Sequence, residues 1–121
     1  MLGQLDQSPE LTVLERAVLR VALQGDTTTA LREQVENATV ATRTPSGVGF
    51  VTKLKVARAG PPVDGEAAIP RVYGRHPELR SGAEFVVQVR DGRINSIEAF
   101  CYEGMWPVDE TAFQLELAPQ A

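Results

Sequence analysis

Four places in the 121-residue chain have residue types and spacing that could do chemistry. The first is Glu98, inside an apolar hairpin made of Phe85-Val86-Val87-Gln88-Val89-Arg90, the turn Asp91-Gly92, and Ile94 to Tyr102. With a two-residue turn, Glu98 falls among Ala83, Phe85, Val87, Val89, Ile94, Phe100 and Tyr102. Desolvation there would raise its pKa and suit it to general acid–base work or to anchoring a ligand. With a glycine bulge the register shifts by one. Val87 then meets Ile97, Phe85 meets Ala99, Cys101 follows them inward, and Glu98 faces solvent as an ordinary cross-strand partner of a cation. Both registers are open on sequence alone, with the exposed Glu98 favoured. The second place is Tyr102-Glu103-Gly104-Met105-Trp106-Pro107, a strand exit rich in the residue types that carry binding hot spots. Its tryptophan would serve equally well as a lid on the open end of a core. The third is His76, which precedes Pro77 at a strand end and reads as a turn residue or a functional imidazole. The fourth is Cys101, mid-strand, where a small buried hydrophobe is the ordinary reading and a nucleophile the rarer one.

His76 and Cys101 are the only histidine and the only cysteine. No zinc set and no internal disulfide can be built from them. Phosphate loops, dinucleotide glycine fingerprints and paired-histidine metal motifs are missing. The expected inventory is therefore no catalytic residue, no metal and no cofactor, with Trp106, Tyr102, Glu103, Glu98 and His76 as candidate binding residues.

The charge is −4 overall but unevenly spread. Residues 1–42 carry −3, residues 43–93 carry +4, and residues 94–121 hold five acids and no Lys or Arg, giving −5. A general nucleic-acid binder is usually basic, so that class is disfavoured, although Lys53, Lys55, Arg58, Arg71 and Arg75 keep a weaker version of it. The plain reading is that opposite charges meet across a sheet surface. With 43% hydrophobic and 23% charged residues, the composition is that of a soluble globular fold. No run of 18 apolar residues could span a membrane, and the N-terminus lacks the pattern of a secretory signal, so a cytoplasmic protein is expected.

These residues must be positioned by two helices and a set of strands. Ser8-Pro9-Glu10 is a start signal for a helix over Leu11 to Leu23, with Leu11, Leu14, Val18, Val21 and Ala22 inward and Glu15, Arg16 and Arg20 on the wet side. Gly25 would end it in the left-handed conformation, and Asp26 would cap a second helix from Thr27 to Glu36 with Ala30, Leu31 and Val35 inward. The pattern then alternates. A strand around Val40–Arg43, the turn Thr44-Pro45-Ser46-Gly47, and a strand with Val48, Phe50, Thr52, Leu54 and Val56 on one side follow in order. Residues 59–65 and 76–82 read as loops flanking a strand from about Ala67 to Arg75. After the hairpin, a last strand from Thr111 to Ala118 turns Phe113, Leu115 and Leu117 inward. Helices first and antiparallel strands after them predict an α+β fold as one domain over residues 1–121. Two N-terminal helices would pack on one face of a mostly antiparallel sheet of five or six strands.

Several short segments carry a resemblance. They are Gly47-Val48-Gly49-Phe50-Val51-Thr52, His76-Pro77-Glu78-Leu79, Gly82-Ala83-Glu84-Phe85, Asp91-Gly92-Arg93-Ile94, Glu98-Ala99-Phe100-Cys101-Tyr102 and Trp106-Pro107. Together they resemble a group of small uncharacterised bacterial proteins, some of them like immunity proteins encoded near toxins. The Asp91-Gly92-Arg93-Ile94 hairpin is also similar to the late hairpin of the ketosteroid-isomerase-like, cone-shaped fold, which often holds a pocket between sheet and helices. The first resemblance implies a non-enzymatic module that recognises a protein partner. Trp106, Tyr102, Glu103 and the acidic C-terminal third would do the recognising. The second implies a pocket and so a small-ligand or isomerase/cyclase-like protein, with no catalytic residue carried over from that family; on this chain's own residues such a function requires an inward Glu98 with Tyr102 or His76 nearby. A homodimer through an open sheet face or edge fits either.

Overall fold

Helix α1 (Val13–Ala22) begins where the chain supplies its own cap. The Thr12 side chain accepts from the Glu15 N–H (3.0 Å), and the Thr12 N–H donates to the Glu15 carboxylate (2.8 Å), a reciprocal box that satisfies two otherwise orphaned donors. The computed structural model describes residues 10–25, 29–56 and 69–118, so the Ser8-Pro9 start signal, the Asp26 cap and the loop at 59–65 lie outside the described residues. At the far end α1 closes on Leu23, whose N–H bonds the Leu19 carbonyl at 2.9 Å, and Gly25 does not adopt the expected left-handed conformation. The Leu23 and Gly25 carbonyls are instead taken by the Arg32 guanidinium, reaching back from helix α2 (Thr29–Val35). In α2, Leu31 is inward as expected, but Ala30 is exposed and Gln34 is buried in its stead.

The strands are β1 (Ala38–Pro45), β2 (Gly49–Val56), β3 (Val72–His76), β4 (Leu79–Arg90), β5 (Arg93–Cys101) and β6 (Gln114–Leu117). They form one antiparallel sheet in the order β1-β2-β5-β4-β3-β6, so the fold is α+β. The expected loop over 76–82 is mostly strand. His76 pairs with Leu79 across a Pro77-Glu78 turn, and β4 runs on from there. The proline and the small residues in this stretch mark a turn and an irregularity, not a loop. Gly82, at φ +73, sits where the register shifts. The final strand is also shorter than expected: a 3₁₀ turn (Glu110–Ala112) precedes it and Leu117 is partly exposed.

The β4–β5 hairpin uses both registers that the sequence allows. Asp91 (φ 55) and Gly92 (φ 75) form the two-residue turn whose left-handed residues match the twist of the strands, and Arg90 pairs with Arg93 and Val89 with Ile94. One residue later the register slips. Asn95 is extra in β5, and from there Gln88 pairs with Ser96, Val87 with Ile97, Phe85 with Ala99, and Ala83 with Cys101. The bulge lets Ile94 and Ile97 both reach the core, which no unbroken alternation permits. Gln34 of α2 clamps the tip. Its amide donates to the Gly92 carbonyl (3.0 Å) and accepts from the Ile94 N–H (2.9 Å).

Leu14, Val18 and Leu19 of α1 and Leu31 of α2 share one apolar cluster with Phe50, Leu54, Val72, Phe85, Val87 and Ile97 from the strands. The alternate positions of the central strands form the other side of the sheet. Val51, Glu98 and Val86 lie in one cross-strand row, and Phe100, Glu84 and Tyr73 in the next.

Candidate functional site

Glu98 is exposed on β5, between Val51 and Val86, and its side chain makes no ion pair among the described residues. The bulge at Asn95 decides this, since one extra residue inverts the facing of everything after it. The general base that an isomerase-like reading would need is therefore not in the core. His76 is buried, and both ring nitrogens are occupied: Nδ1 accepts from the Glu78 N–H (3.0 Å) and Nε2 meets the Asp109 carbonyl (2.8 Å). Its ring packs edge-on against Phe113. This imidazole ties the Pro77-Glu78 turn to the segment before β6. Cys101 is buried, with its thiol toward the Gly104 carbonyl at 3.7 Å. Among the described residues, no group of His, Cys, Asp and Glu could hold a metal ion, and no helix is long and apolar enough to cross a membrane.

The strand exit separates into two parts. Trp106 turns to the core, and its ring meets Phe50 (5.6 Å, edge-on), Phe85 (5.9 Å, edge-on) and Phe113 (5.1 Å, tilted). Its Nε1–H donates to Glu110 (2.7 Å), and its backbone N–H donates to the Gly47 carbonyl (2.8 Å). Pro107 beside it is buried. Tyr102 turns to the other side of the sheet, stacks edge-on with Phe100 (5.6 Å), and donates its hydroxyl proton to Glu84. Glu84 also accepts from Arg71 at 3.0 Å. The bond to Glu84, with some desolvation and the nearby negative charge, pushes the Tyr102 phenol up to about 12. Tyr102 and Trp106, grouped together on sequence, thus sit on opposite sides of the sheet.

Between and beyond them the loop projects outward. Tyr102 is 53% exposed, Met105 77% and Val108 98%, and Glu103 and Asp109 are exposed with them. Residues 102–110 contain three acids and no cation. Asp109 accepts from the Thr111 side chain and N–H as the cap of the 3₁₀ turn, and these bonds hold its carboxyl below its usual value. Gly104 adopts φ +82, which lets the chain reverse there. The loop is therefore fixed at both ends and apolar and acidic at its surface.

Two features escaped sequence reasoning. Glu15, placed on the wet side of α1 by helical periodicity, is 1% exposed. Its carboxylate takes a bidentate pair from Arg43 (2.7 and 2.9 Å) and a bond from the Thr52 hydroxyl (2.6 Å). Burial pushes its pKa up, but the bonds from Arg43, Thr52 and the Thr12 N–H outweigh that and hold it below 4.5. The Thr12-x-x-Glu15 spacing was the available signal. The second is Glu84, buried on β4 beneath Tyr102 and Arg71, for which no local pattern gives notice.

An open-sided groove of about 500 Å³ runs between α1 and residues 110–115, and its ionisable lining is Arg20 and Glu110. None of the five candidate binding residues lines it. Of the cations considered for nucleic acid, Arg71 is paired with Glu84 and Arg75 with Glu116, Lys53 and Lys55 are exposed on β2, and Arg58 lies outside the described residues. No family model, no curated protein and no solved structure matches this chain.

Proposed function

We propose that the chain is a non-enzymatic binding module that recognises a protein partner through residues 102–110. The observation that carries this is the loop's construction. Trp106 anchors it in the core by three aromatic contacts and two hydrogen bonds, while Tyr102, Met105 and Val108 stand exposed among acids. An apolar surface already held in shape loses little conformational freedom on binding. Glu103, Asp109 and Glu110, with no cation among them, select a basic partner surface and speed its encounter. An immunity-like role, in which such a loop covers the basic working surface of a toxin, is the form that the sequence resemblance implies. The same reading has both helices on the core side of the sheet. Their shared apolar cluster with Phe50, Phe85 and Ile97 supports it.

The test compares the wild-type protein as bait with the triple variant E103K/M105A/V108A. All three side chains are exposed, so the variant keeps the fold. The expected result is a stoichiometric protein partner on the wild type, released by high salt and bound at least tenfold more weakly by the variant. Equal affinity for both baits overturns the reading.

A further inference from the structure

We infer that the open edge of β6 is a docking site for an extended, acid-bearing segment of a partner protein, which adds to the sheet as a further strand beside α1. β6 ends the sheet, and among the described residues β3 is its only neighbouring strand. One step beyond the Val72–Leu117 pair, the Ala118 N–H donates to the Arg71 carbonyl (2.8 Å). Antiparallel pairs alternate, so Glu116 and Gln114 also turn their backbone groups toward β3. Leu115 and Leu117 lie between them and turn theirs outward. Those N–H and C=O groups meet no partner among the described residues. Two such donor–acceptor sets two residues apart, about 7 Å, match the repeat of an extended backbone.

The groove beside this edge fixes what the added segment carries. Ala17, Val21 and exposed Val13 line it from α1, and Phe113 and Leu115 line it from the other wall. Leu115 is level with Gly74, where an added Cβ would meet Phe85, Phe113 and Leu115, so Leu115 faces the core side on which α1 packs. Leu117, two residues on, faces the same way and is partly exposed. Alternate side chains of an added strand point to that side, into the groove, and apolar ones match its lining. Charge supplies the acid. Of the two ionisable residues on the groove, Glu110 already accepts from the Trp106 indole, whereas Arg20 makes no ion pair among the described residues. A carboxylate on the segment meets Arg20. The site is separate from the tip of the 102–110 loop, since Tyr102, Glu103, Met105 and Val108 do not line the groove.

A display library of random eight-residue peptides, panned against the full chain, tests this. The expected enriched set alternates apolar residues and holds an acid at one fixed position. Panned against R20E, an exposed change, the same library should enrich a lysine or arginine there instead. N-methylation of an enriched peptide, one amide at a time, should weaken binding about tenfold at every second residue and spare the residues between, because only alternate amides of an added strand face β6. Leu117→Pro removes an outward N–H and none of the bonds to β3, so it should bind that peptide about tenfold more weakly than Leu117→Ala does. An acid preference that survives R20E, an N-methyl scan without alternation, or equal binding by the two Leu117 variants overturns the inference. So does a library from which nothing is enriched, the result expected of an edge already covered by a second copy or by another part of the chain.

Discussion

Glu15 shows how one side chain can join three elements. It sits on α1, takes Arg43 from β1 and Thr52 from β2, and closes the cap at Thr12, so its four bonds span the helix and the edge of the sheet. Removing one member of a buried pair leaves the other charge without compensation, at a cost of about 3–5 kcal/mol. Glu15→Gln keeps the shape and the Thr52 contact but takes the counter-charge from Arg43, whose side chain is only 12% exposed. A loss of about 3 kcal/mol in urea denaturation at pH 7 is the expected outcome. The pH dependence has a fixed sign. Because the folded carboxyl titrates below 4.5, its stabilisation is fully present above that value and is lost as pH falls through the lower, folded pKa. The gap between wild type and E15Q should therefore narrow only under acid. A gap that widens under acid would contradict the network.

At the scale of elements, the hairpins are positioned by backbone constraints that leave uneven marks in the sequence. Gly49 pairs with Phe100 and is packed so closely on the Ala99 carbonyl that an added Cβ would overlap it. Gly104 has a left-handed backbone but open space around it. Gly49→Ala must push β2 away from β5 and should cost about 2–4 kcal/mol, whereas Gly104→Ala meets only the left-handed penalty of about 1–2 kcal/mol. Thermal melting of the two variants checks the ranking. Element types are legible here because they depend on local pattern: the alternation of Phe50, Thr52 and Leu54 marks β2, and Asp91-Gly92 marks the turn. The bulge at Asn95 is not, because nothing in Ile94-Asn95-Ser96-Ile97 says which residue is left over until both isoleucines must be buried together. The strand at 79–82 is hidden by Pro77 and Gly82, whose turn and bulge roles look like loop composition.

Over the whole molecule, the uneven charge blocks read from the sequence meet only in part. Arg75 with Glu116 joins the basic middle segment to the acidic end and Arg43 with Glu15 joins it to the acidic start, whereas Arg71 with Glu84 pairs within the middle segment. Glu98 and Lys53 make no ion pair among the described residues. The candidate site is legible as a segment but not as a surface. Residues 102–107 stand out by type, yet only the fold shows that Tyr102 and Trp106 diverge, since strand alternation and the turn at Gly104 set their directions. As a surface hot spot alone, Trp106 would be removable without harm to the fold. Its contacts with Phe50, Phe85 and Phe113 correct that. Trp106→Ala should cost about 2–3 kcal/mol, less than a fully buried tryptophan because the ring is only half-buried, and should also release the loop. In denaturant melts beside partner titrations, the loss of affinity should persist at temperatures where the variant is still fully folded.

The same residue gives the protein a built-in optical probe. Trp106 is the only tryptophan, so all indole emission comes from one ring that packs on the core from the middle of the exposed loop. Unfolding should shift that emission to the red as the ring leaves Phe50 and Phe85. A partner seated over Met105 and Val108 should change its intensity while the protein stays folded. One unlabelled cuvette can then report stability and occupancy as two separable spectral changes.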